Sequence, residues 1–87
     1  MKRIIELRLT RAEGAIVRTL GLIERRGFTV TAITTRGDAS SETLVLRLEV
    51  ATEGRSFDVL IRQILRLFDV RGALLVEPQQ DEARAAC

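Results

Sequence analysis

The stretch "TRAEGAIVRT", residues 10–19, holds the residues best suited to chemistry in this chain. Its polar entry, single glycine and apolar helical continuation read as a loop feeding a helix N-terminus. Backbone amides near Gly14 and Ala15 would suit a carboxylate there, because the first N–H groups of a helix lack internal acceptors and its dipole attracts anions. The same letters also spell a capping box, with Thr10 placed to cap the helix and Glu13 placed to reach back to the Thr10 amide. The reciprocal cap favours a self-satisfied helix start over a ligand site.

Elsewhere the chain is poorly equipped for catalysis. It has no histidine and no tyrosine, and its single cysteine is Cys87, so neither a base near neutral pH nor a placed thiol is on offer. The first loop lacks the paired cysteines that a soft metal needs, and without any asparagine the chain cannot build a phosphate cradle of the arginine–asparagine kind. Neither an enzyme activity nor a metal is expected, and the chain needs no cofactor of its own. Fourteen basic residues against twelve acidic ones leave a net charge of only +2, with the signs interleaved, unlike the concentrated basic stripe of a nucleic-acid binder. No apolar run approaches a membrane span, and "MKRIIELRLT" does not resemble a signal peptide. With one cysteine and no disulfide framework, a cytoplasmic protein is expected.

The elements that would carry the loop follow from periodicity. "IIELRLT" alternates, placing Ile5, Leu7 and Leu9 on one strand face and Glu6 and Arg8 on the other. Ile16, Leu20 and Ile23, with Val17 at the margin, make a helical stripe that predicts a helix over about residues 11–26, stopped by Gly27. "FTVTAITT" is rich in β-branched residues, with Phe28, Val30 and Ala32 on one face and a parity break at Ile33 that suggests a bulge. After the polar "RGDASSE", "TLVLRLEVA" alternates strictly, with Leu44, Leu46, Leu48 and Val50 facing inward. Ser56 is placed to cap a second helix, with Asp58 near the positive end of its dipole and Phe57, Leu60, Ile61, Ile64 and Phe68 on one stripe. "VRGALLVE" closes as a strand before Pro78, and residues 79–87 read as a flexible tail to a single domain over 1–78.

Strand, helix, strand, strand, helix, strand with right-handed crossovers gives a ferredoxin-like βαββαβ sandwich, an α+β fold with a four-stranded antiparallel sheet and two helices on one face. The outward strand positions Glu6, Arg8, Val45, Arg47 and Glu49 include no aromatic, which speaks against base stacking; Phe28, Phe57 and Phe68 are expected in the core. Cross-strand pairs Glu6–Arg47 and Arg8–Glu49 are expected on the wet face. The second strand, without proline or lysine, is an edge open to pairing, so a homodimer is expected through Phe28, Thr29 and Thr31, with help from the off-stripe Leu22.

"GAIVRTLGLIERRGFTVTAITT", with its helix-opening glycine and the "RRGF" entry to the second strand, resembles the ACT-domain pattern. Together with "SFDVLIRQILRLFDV" and the length of 87 residues, it is similar to the short, isozyme II type of regulatory small subunit of acetolactate synthase, over roughly residues 3–77. The resemblance implies a noncatalytic, activating subunit in branched-chain amino acid biosynthesis. The partner would be the catalytic large subunit, which would carry thiamine diphosphate, FAD and magnesium. It also implies a possible branched-chain amino acid effector, held where Arg11, Gly14, Ala15 and Ile16 of the loop meet Thr29 and Val30 of a neighbouring subunit's second strand. Arg11 stands where the family usually has an asparagine or aspartate, and Thr29 matches a second family asparagine. The alternative is a free-standing ACT sensor that binds an amino acid and reports to some other partner.

Overall fold

A computed structural model describes residues 1–37 and 42–76. Six elements follow in the order β1 (Lys2–Thr10), α1 (Ala15–Arg25), β2 (Thr29–Arg36), β3 (Thr43–Ala51), α2 (Phe57–Ile64) and β4 (Val70–Val76). All strand pairings are antiparallel and the spatial order is β2-β3-β1-β4, which leaves β2 and β4 as the edges. The ferredoxin-like βαββαβ sandwich read from the sequence is the observed fold. Residues 79–87 and most of the "DASSE" connection lie outside the described residues.

Strict alternation explains the sheet. Ile5, Leu7 and Leu9 of β1 and Leu46, Leu48 and Val50 of β3 are fully buried beneath the helices, in register as Ile5–Leu48 and Leu7–Leu46 pairs. The bulge in β2 falls at Thr31, two residues before the expected break, because pairing steps from Val30–Val50 to Ala32–Glu49. Thr31 then donates its hydroxyl to the Glu49 carboxylate at 2.8 Å.

Helix α1 is shorter and rotated relative to expectation. It begins at Ala15, not near residue 11, and its buried face is Ala15, Thr19, Leu22 and Ile23, with Ile16 and Leu20 only packed at the margin and Val17 exposed. A small residue and a threonine share that face because the Thr19 hydroxyl finds an acceptor inside the helix, donating to the Ala15 carbonyl at 2.8 Å. At the other end the glycine stop holds. Gly27 adopts φ 92°, its amide bonds Glu24 O at 3.2 Å and the Phe28 amide bonds Ile23 O at 3.3 Å, the paired bonds of a Schellman motif.

Helix α2 starts as expected, with Ser56 accepting from the Val59 amide at 3.2 Å and Asp58 in the first turn. It stops at Ile64, so the stripe never reaches Phe68, which is 99% exposed on the turn into β4. Phe28 and Phe57 do enter the core, with ring centroids 5.3 Å apart and Arg3 lying 5.7 Å over Phe57. Leu22 and Phe28 are therefore core residues of the single chain rather than surface for a second copy. On the wet face Glu6 stands opposite Arg47 as expected, but Arg8 stands opposite Val45. Glu49 is reached instead by Lys2 at 3.8 Å, since the register sets the pair, and Glu6 also meets Arg36 at 3.6 Å.

Candidate functional site: the β1–α1 loop

The loop leaves β1 with its first amides already used. The Thr10 amide donates to Asp69 O at 2.7 Å and the Arg11 amide to Glu42 O at 2.8 Å, tying the chain to the α2–β4 turn on one side and to the start of β3 on the other. Ala15 N then bonds Ala12 O at 3.1 Å, which closes a tight turn over Gly14. That turn needs the left-handed backbone of Gly14, at φ 79° and ψ 2°, and Gly14 is the N-cap of α1.

The capping box does not form. No side chain caps α1, Glu13 is exposed, and Thr10 sits too far back, with its hydroxyl accepting from Arg71 Nε at 2.9 Å. The physical reason is the glycine. Once Gly14 turns left-handed, the helix starts at Ala15, two residues beyond Glu13, so Thr10 and Glu13 no longer bracket its first turn.

Arg18, not a capping box, ties the loop together. From the first turn of α1 its side chain folds back across Gly14, donating Nε to Asp69 Oδ2 at 2.8 Å and Nη2 to the same oxygen at 2.5 Å, while Nη2 also reaches Glu13 O at 3.0 Å. A Cβ on Gly14 would lie 2.8 Å from Arg18 Nη1, so the glycine serves both the turn and the packing of the guanidinium. Asp69 is a nearly buried carboxylate, its side chain 7% exposed against 51% for Arg18. A carboxylate does sit by the loop, and it belongs to the chain itself.

The sequence pointed to the loop but missed this pair. Arg18 and Asp69 are 51 residues apart, and nothing in "IVRTL" or "LFDVR" distinguishes them from solvated charges. Of the expected ligand residues, Arg11 is exposed with its guanidinium against Gly37, Gly14 is exposed, Ala15 is buried and Ile16 is half-buried. Thr29 and Val30 are not with them. Thr29 pairs with Ala51 whereas Thr10 pairs with Thr43, eight residues away along β3, or about 26 Å at strand rise. Only a second copy could bring Thr29 and Val30 to this loop. Among the described residues there is no cluster of histidine, cysteine or carboxylates arranged to hold a metal, and no helix long and apolar enough to cross a membrane.

Fold and loop together define the class: a ferredoxin-like α+β sandwich whose first strand–helix turn is built on a left-handed glycine. A family model described as ACT domain matches residues 11–73, and the chain belongs to that family of regulatory domains. No curated protein matches the chain. Among solved structures it is similar to the acetolactate synthase small subunit from Thermotoga maritima, with TM-score 0.77 and 18% identity over 90% of this chain and 48% of that one. It is also similar to the ACT domain from the GTP pyrophosphokinase of Chlorobium tepidum, with TM-score 0.72 and 12% identity over 87% of this chain and 97% of the other. A third is the formyltetrahydrofolate deformylase from Burkholderia mallei, with TM-score 0.69 and 20% identity over 87% of this chain and 28% of that enzyme. At these identities the likeness establishes the fold alone, and the chain spans about half of the Thermotoga subunit.

Proposed function

We propose that the chain is a noncatalytic, activating small subunit of acetolactate synthase in branched-chain amino acid biosynthesis. The observation that carries this reading is the Arg18–Asp69 pair across Gly14, which engages the arginine beside the loop with a carboxylate of the same chain. Such a loop suits a module whose output is contact with a partner more than one that reports a free amino acid. The likeness to the Thermotoga small subunit supports the choice of partner. On this reading the catalytic large subunit carries thiamine diphosphate, FAD and magnesium, and the complex is cytoplasmic. The small subunit pairs with a second copy through edge strand β2, where Thr29 and Thr31 are exposed. Any branched-chain effector would sit between two copies, against Arg11, Gly14, Ala15 and Ile16 of one and Thr29 and Val30 of the other.

The test is reconstitution. Adding the purified chain to an acetolactate synthase catalytic subunit is expected to yield a stable complex and a higher rate of acetolactate formation. Absence of both overturns the reading. The second reading, a free-standing amino-acid sensor, draws on the likeness to ACT domains in unrelated enzymes. It requires saturable binding of an amino acid to the isolated chain.

A further inference from the structure

The sequence interleaves its charges, but the sheet sorts them. Register places Lys2, Arg8, Arg36 and Arg47 on the open face away from the helices, and Arg71 joins them through its bond to Thr10. Among the described residues the same face carries two carboxylates, Glu6 and Glu49. Five basic residues against two acidic ones make this face more positive than the whole chain, whose net charge is +2. Both carboxylates are also engaged within the face, Glu49 by Lys2 at 3.8 Å and Glu6 by Arg36 at 3.6 Å.

The surplus collects at one end. Arg36, Val45, Arg8 and Gly72 lie side by side in one row across all four strands, with Arg71 displaced by the β4 irregularity next to Arg8. Arg8 is exposed and, among the described residues, its side chain has no hydrogen-bond or ion-pair partner. Beside it Gly72 has no side chain and nothing within 4 Å of where one would project. The result is a shallow depression of about 260 Å³ bounded by Glu6, Arg8, Gly72, Ala73 and Leu74, with Leu74 half exposed.

We infer that this end of the open sheet face is a docking surface for the catalytic partner, in which an acidic side chain of that partner seats on Arg8 over the Gly72 notch. The inference rests on the proposed function for the partner's identity. Charge complementarity selects the occupant: a guanidinium beside an open notch donates to a carboxylate in two-pronged geometry, and Val45 and Leu74 supply an apolar margin that a protein surface can cover. Nucleic acid fits less well. The face has no aromatic residue on which a base could stack.

The experiment titrates the 87-residue chain into an acetolactate synthase catalytic subunit at 0.05 M and 0.3 M salt, following both binding and activation. It compares the wild type with Arg8→Glu and Gly72→Glu, and with Arg66→Glu as a control on the helical side. Gly72→Glu has space for its side chain and puts a carboxylate of the chain itself into the notch. Circular dichroism and thermal melts check that each variant folds. Both face variants are expected to weaken binding about tenfold or more and to flatten its salt dependence, with Arg66→Glu unchanged. Wild-type binding with unaltered affinity in both face variants overturns the docking surface and leaves the proposed function standing. Failure of the wild type to bind overturns both. Tighter binding of a 20-nucleotide oligouridine than of the catalytic subunit at 0.15 M salt also overturns the docking surface.

Discussion

Truncating Arg18 tests whether the loop is held by the chain's own ion pair. In Arg18→Ala, Asp69 loses both N–H donors, at 2.8 and 2.5 Å, and keeps a carboxylate whose side chain is only 7% exposed. Removing one partner from a fully buried pair costs roughly 3–5 kcal/mol. Here Arg18 is 51% exposed, so water reaches the vacated side, and the expected cost falls to about 2 kcal/mol. Asp69→Ala leaves a guanidinium that water can solvate and costs about 1 kcal/mol. The double variant should then cost clearly less than the sum of the two, with a coupling of about 1 kcal/mol. The assay is urea unfolding at one fixed protein concentration. With a slope of about 1 kcal/mol/M for a small domain, Arg18→Ala should lower the midpoint by about 2 M. A midpoint within about 0.5 M of wild type, or strictly additive single variants, would refute the view that this pair holds the loop.

Four further outcomes follow from the same geometry. Glu13→Ala should shift stability by less than about 0.5 kcal/mol in thermal unfolding, because no capping box exists to lose; a drop near 1 kcal/mol would restore the box. Phe57→Ala should cost about 3–5 kcal/mol while Phe68→Ala stays within about 0.5 kcal/mol, the first being core and the second fully solvated, and urea midpoints would separate them. Sedimentation at tens of micromolar should show a dimer that a proline at Thr31 weakens, and a monomer alone would count against pairing through β2. Calorimetric titration with millimolar valine should show little heat, and tight stoichiometric uptake would mean that the internal pair yields to a ligand.

Local pattern alone determined the framework. Alternation in "TLVLRLEVA", the Ser56 cap and the Gly27 stop each depend on residues within a few positions of one another, and all three stand in the structure. So did the likeness to an ACT domain, which rests on the order of such local signals. Tertiary structure decided what depends on partners far along the chain. Gly14 reads equally as part of a helix or as its left-handed start, and the choice falls to Arg18, whose guanidinium crosses Gly14 to Asp69 on another turn. Phe68 continues a helical stripe on paper, yet the turn that delivers Asp69 to Arg18 ends α2 before it. The clustering of the open-face arginines was equally unreadable, because interleaved signs in sequence become one basic end only when antiparallel register sets Arg36, Arg8 and Gly72 in a single row. Periodicity tells which face a side chain takes, but its neighbours on that face come from strands dozens of residues away, and only folding brings them together.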